Sequence, residues 1–255
     1  MKIPAFVPPD LRQLLRFVPT SGWDAIAWSP LLSSMRAIST RYVTGKGTAR
    51  LRETVAAAVP DVQLVPKLRR VTRLDSVEDA GSLQQAGDDL LRLYFAQWLV
   101  EDGLFIDMRS SRFGLDAGGG LNFAPNGLWI QLRPEFREGM LALYRSFYSD
   151  DESAFEDALR QMGMLQEGLS ASAESELKEL LHAHFGIDQR AQTFSIDAFK
   201  ASFDELFAFF IAHRYTLHSD FVFVGFYLIT LYLTLEQGGQ AHDVRHICSE
   251  MLLSN

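Results

Sequence analysis

Fifteen residues from Phe221 to Leu235 carry no charge and are bounded by Asp220 and Glu236. No other stretch limits the fold so strongly. A bilayer span needs about 20 apolar residues, so this one is short for a membrane and long for a strand. It also holds two hydroxyls, Thr230 and Thr234. The reading is a helix buried in a protein core. A core able to enclose it needs a large apolar complement. The 255-residue chain is 47% hydrophobic and 22% charged, the balance of an ordinary globular protein.

Charge narrows the function classes. Lys and Arg number 24 against 32 Asp and Glu, a net charge of −8. That disfavours a general nucleic-acid binder, which needs a basic face to displace counterions. Cys248 is the single cysteine. An intrachain disulfide and a cysteine zinc cluster are therefore excluded. A cytoplasmic location is expected. Met1 to Pro9 holds three prolines where a signal peptide needs a continuous apolar stretch, so no targeting segment is expected.

Short apolar-periodic pieces and breakers alternate over residues 1–60. A short helix is expected from Pro8-Pro9-Asp10 to near Pro19, a longer one from Trp23 to Tyr42, and a third over Arg50 to Ala58. Gly45-Lys46-Gly47-Thr48 lacks the first glycine and the preceding strand of a phosphate loop, and reads as a turn. Val62 to Val65 reads as a strand, with Arg69 to Leu74 as its partner. Asp88 reads as the N-cap of a helix carrying Leu90, Leu93, Tyr94 and Trp98, closed by Gly103.

Residues 103–133 are the one β-like stretch of the second half, with Asn126-Gly127 as a hairpin-turn signal. Helices follow to the end. Pro134 opens the first. Phe155, Leu159 and Met162 mark the second, and Gly186 closes the third. Ser195 caps a fourth. The apolar helix comes next, then a last one from Gln240 to Leu253.

Three stretches together resemble a known family. They are Leu132-Arg133-Pro134-Glu135-Phe136-Arg137-Glu138, Asp150-Asp151, and Ala158-Leu159-Arg160-Gln161-Met162-Gly163. Val65-Pro66, Glu101 to Phe105, and Phe210 to Glu236 extend the likeness. Over roughly residues 60–255 the chain resembles the UbiB-type (AarF-like) atypical kinase-like family. The resemblance implies an α-rich α+β fold: a kinase helical-lobe-like core with a small β-hairpin region, its small nucleotide-binding lobe missing. Residues 61–255 would form this degenerate lobe, and 1–60 a helical section in place of the small lobe.

The same resemblance shows what is lost. The family follows Gly-Phe-Phe with His-Ala-Asp-Pro-His-Pro-Gly-Asn. Here Met108 stands at the catalytic Asp and Phe113 at the metal-binding Asn. Asp107 is one residue out of register. The family's Asp-Phe-Gly falls on Pro125-Asn126-Gly127, and proline cannot ligate magnesium. Phosphoryl transfer rests on positioned metal and charge stabilisation, so activity should be lost with these residues. No cofactor is expected.

The expectation is a catalytically inactive pseudokinase-like protein that binds a protein partner, completes a complex or forms a homo-oligomer. Asp107, Arg109, Arg112 and Asp116 share the loop that replaces the catalytic motif and are its candidate interaction residues. Neither nucleic acid nor a transmembrane segment is expected, and peripheral membrane association is compatible with the chain. The alternative is an enzyme or lipid-handling protein reusing the remnant cleft. Phe194, Phe199, Phe203, Phe207, Phe209, Phe210, Phe221, Phe223 and Phe226 would then line a cavity, and the resemblance points to an isoprenoid ligand.

Other polar groups read as structural. His242, His246 and Glu250 sit at helical spacing and read as a surface face. His182 and His184 point to different faces. His213, Arg214, His218 and Asp220 read as caps at a helix junction. Cys248 reads as a small apolar group.

Overall fold

A computed structural model describes residues 7–14, 26–165, 168–185, 191–215 and 217–253. Helix α1 spans Pro9–Leu14, α2 Trp28–Thr44 and α3 Thr48–Ala58. The expected ends near Pro19 and Trp23 lie outside the described residues, as does the Gly186 cap. After α3 come β1 (Val62–Leu64), β2 (Thr72–Arg73) and α4 (Ala80–Leu99). Strands β3 (Leu104–Phe105), β4 (Phe113–Leu115), β5 (Leu121–Phe123) and β6 (Trp129–Ile130) follow. Then come α5 (Pro134–Tyr148), α6 (Glu152–Gln161), α7 (Ala171–Phe185), β7 (Gln192–Thr193) and α8 (Ile196–Ala212). The apolar helix is α9 (Ser219–Gly238), followed by β8 (Ala241–His242) and α10 (Val244–Cys248). The coarse class is α-rich with small sheets.

Local chemistry sets most helix ends. Asp79 caps α4 by accepting from the Ser82 amide at 2.7 Å. Asp151 and Ser195 cap α6 and α8 in the same way. Pro134 sits in the first turn of α5, where no amide is needed. Gly239 ends α9 in the left-handed region. Asp88 is therefore not a cap: it lies inside α4, which begins eight residues earlier. The helix also stops at Leu99, before Gly103.

Helix α9 packs against α2, α4 and α8. Its mean hydropathy of 1.4 makes it, among the described residues, the helix long and apolar enough to cross a membrane. Sixty-one per cent of that window is buried inside the fold. The phenylalanines that the alternative reading set around a cavity pack into the core around it, Phe199 stacking on Phe203 and Phe203 on Phe221. Tyr94, Phe95 and Trp98 of α4 meet Tyr144 of α5 edge-on. One contiguous core takes Val7, together with Leu11, Leu31 and Met35 from α1 and α2, along with these side chains.

The strands pair over longer distances than the sequence suggested. The order is β1-β5-β4-β2, with β1 parallel to β5 through Val62↔Leu121. Residues 72–73 pair with β4 and not with β1. The hairpin is β4–β5, with Phe113 stacked on Phe123. Asp116 makes its turn by accepting from the amides of Gly118 (2.8 Å) and Gly120 (2.9 Å). Asn126-Gly127 joins strands of different pairs, because β6 pairs with β3.

A second β pair, β7–β8, lies outside the expected β-like stretch. It takes His242 out of the expected final helix. His242 is 1% exposed and its Nδ1 donates to Asp88 Oδ1 at 2.7 Å, while His246 is exposed. The two histidines share no face. Gly87 makes the burial feasible: a Cβ there would stand 2.2 Å from the imidazole.

Candidate functional site

The loop between β3 and β4 is held from beneath by the apolar helix. Thr230 Oγ1 accepts from the Met108 amide at 3.0 Å and Thr234 Oγ1 donates to the Met108 carbonyl at 2.7 Å. Gln97 of α4 accepts from the Phe105 amide at 2.7 Å. The two hydroxyls of the uncharged run therefore satisfy loop backbone that the core would otherwise strand. Met108 and Phe113 are both 0% exposed and belong to the core.

This anchoring turns Asp107 inward. Its carboxylate is 1% exposed and meets two guanidiniums. Arg109 is bidentate, donating from Nε at 2.6 Å and Nη2 at 2.7 Å. Arg112 Nε donates at 2.9 Å, and the Asn126 amide donates at 2.6 Å. Helix α1 closes the cluster. Asp10 accepts from Arg109 Nη2 at 2.9 Å and lies 3.3 Å from Arg112 Nη2. Gln13 accepts from Arg109 Nη1 at 2.6 Å. Asn126 and Tyr42 also donate to Asp10, at 3.2 and 3.3 Å.

Three of the four candidate interaction residues thus converge. Asp116 does not join them, since it stands at the β4–β5 turn. Its carboxyl is held below the usual range by the Gly120 and Gly118 amides. Arg109 and Arg112 keep about a quarter of their side chains exposed (23% and 24%). Asp10, Gln13, Tyr42 and Asn126 complete the cluster and were not singled out by sequence. Pro-Pro-Asp reads as a helix start and Asn-Gly as a turn, and neither signal says where the side chain goes.

Opposed effects act on Asp10. Burial raises its pKa, but the Arg109 hydrogen bond and the Arg112 and Arg109 charges outweigh this and lower it from 3.8. Burial, and then the Asp10 charge, raises Tyr42. A carboxyl depressed in the fold stabilises it above the unfolded value and loses that contribution as pH falls through the folded one. Asp10→Asn should therefore flatten the loss of stability below about pH 4, measured as melting temperature against pH.

The arrangement is a closed ion cluster with paired charges. Both Asp107 oxygens are occupied by donors. Among the described residues no group of three or more His, Cys, Asp or Glu is placed to hold a metal ion. His213 follows α8 and His218 caps α9, accepting from the Asp220 amide, while Asp220 pairs with Arg133 at 2.7 Å. His182 lies 3.4 Å from Glu152, and burial pushes His184 down to about 4. Cys248 is 0% exposed and its thiol is pushed up to about 12 by burial. No protein-family model matches the chain, and no curated protein matches it.

Proposed function

We propose that the protein is a catalytically inactive, pseudokinase-like binding protein. In this reading it docks a protein partner, or completes a complex, through the face formed by the 103–127 loops and α1. The supporting observation is the state of Asp107. It is the acid nearest the lost catalytic position, and Arg109, Arg112 and Asn126 saturate it. A carboxylate buried and held by two guanidiniums and an amide is poorly placed to take magnesium or a substrate proton. The burial of Met108 and Phe113 supports the same reading.

The lipid-handling alternative draws less support. The aromatic cavity among Tyr94, Tyr144, Tyr148, Phe194 and Tyr232 holds about 40 Å³. That is room for a few waters and not for an isoprenoid chain.

A thermal-shift titration with ATP and Mg²⁺, repeated with Mn²⁺, tests the reading. No metal-dependent shift is expected. A functional site at 100 times its dissociation constant would stabilise the fold by about 2.7 kcal/mol, and that result would overturn it.

A further inference from the structure

Beyond β1 and into β2 the chain reads Lys67-Leu68-Arg69-Arg70-Val71-Thr72-Arg73. These residues carry four of the 24 lysines and arginines and no Asp or Glu. A local cluster of cations thus stands on a chain whose net charge is −8.

Sheet topology turns these cations outward. β1 is parallel to β5, β5 is antiparallel to β4, and β4 is antiparallel to β2. β2 therefore runs parallel to β1 at the opposite edge of the sheet. The connection has to cross one face of the sheet to reach it. Strands of two or three residues make that crossing short enough for residues 65–71. Leu68 and Val71 are half-buried. Val71 seats against β4, where a Cβ on Gly114 would stand 2.6 Å from its Cγ2. Lys67, Arg69, Arg70 and Arg73 are exposed.

The fold leaves most of this charge unanswered. Arg73 makes an exposed contact with Asp75 at 3.4 Å. Among the described residues, the side chains of Lys67, Arg69 and Arg70 have no hydrogen-bond or ion-pair partner. Arg70 also adopts φ 55°, in the left-handed region that a non-glycine residue enters at a cost. No contact of its side chain within the described residues offsets that cost, and backbone strain of this kind gathers where a ligand is held.

The surface selects among anionic partners. A lipid surface would need an apolar anchor beside the cations. The exposed large apolar side chains among the described residues, Leu32, Val43 and Ile211, lie instead on α2 and α8. A long nucleic acid would run past the loop onto an acidic body. A short acidic segment fits: the three arginine forks match its carboxylates, and nothing apolar is required.

We propose that residues 67–73 form a docking surface for an acidic segment of a partner protein. This surface adds to the 103–127 face and does not depend on the loss of kinase activity.

The test uses the full chain and a fluorescein-labelled decapeptide of alternating Glu and Ser, with a Gln–Ser decapeptide as its uncharged counterpart. Fluorescence anisotropy at low salt follows binding. The Glu–Ser peptide should bind and the Gln–Ser peptide should not. Lys67→Gln, Arg69→Gln and Arg70→Gln should each weaken binding about threefold, and all three together about thirtyfold. Arg245→Gln, on a surface ion pair with Asp150, should leave it unchanged. Arg70→Gly suits φ 55° and should weaken binding without lowering the melting temperature, which separates lost affinity from lost folding.

Absence of Glu–Ser binding overturns the proposal, and so does undiminished affinity in the triple variant. Tighter binding to phosphatidylserine vesicles or to a uridine decanucleotide, lost in the triple variant, overturns it in favour of a membrane or RNA. Self-association that the triple variant abolishes overturns it in favour of a second copy of this chain. A magnesium-dependent ATP shift alongside intact peptide binding counts against the pseudokinase reading alone.

Discussion

Asp107→Ala should lower the unfolding free energy by about 3–4 kcal/mol, read as a drop in denaturant midpoint at constant slope. The side chain is small and the lost packing minor. The loss comes from what remains: two partly buried guanidiniums, Arg109 and Arg112, facing Asp10 as their only carboxylate in the cluster. Removing one partner of a buried ion pair strands the other, which is far more damaging than losing both. Asp107→Ala combined with Arg109→Met should therefore recover about 1–2 kcal/mol relative to additivity. A single-mutant loss below about 1 kcal/mol would show that the cluster is solvated and weak.

Gly103→Ala should cost about 3 kcal/mol for a different reason. Gly103 adopts φ 144°, and a Cβ would stand 2.3 Å from the Ile130 carbonyl oxygen. That oxygen belongs to β6, which pairs with β3 through Leu104↔Ile130. Backbone in a paired strand cannot step aside as a side chain can. Gly119→Ala is the control. Its φ is 86°, but nothing lies within 4 Å of the added carbon, so only the dihedral strain of about 1 kcal/mol remains. Equal losses at the two glycines, measured by chemical denaturation, would refute the steric argument.

What could be read from the sequence was mostly what neighbouring residues decide. The Ser195 cap, the Pro134 start and the burial of the Phe221–Leu235 run each depend on chemistry within a few positions. Asp88 misled because the first turns of α4, Ala80 to Gln85, carry little apolar periodicity, so the helix seemed to begin later. The partner of β1 lies near residue 121, beyond any local pattern. His242 matched helical spacing with His246, but the decisive feature is a missing side chain at Gly87, on another element.

The candidate site divides along the same line. Asp107, Arg109 and Arg112 are near neighbours, and their grouping was visible. Their inward orientation depends on Thr230 and Thr234, more than a hundred residues later. The closing contacts come from α1, for which the sequence offered only a Pro-Pro-Asp helix start.

That last feature bears on how the chain is made. Asp10 meets Arg109 across a separation of 99 residues, and Leu11, beside it, is 0% exposed in the finished fold. A ribosome adding 5–20 residues per second reaches Arg109 roughly 5–20 s after Asp10. For that interval Val7 and Leu11 have no core to enter, and Asp10 has no cation from the loop beside it. Helix α1 thus gains its ionic contact only after the loop has been made. During synthesis it is the segment most open to a chaperone, a protease or a second nascent chain.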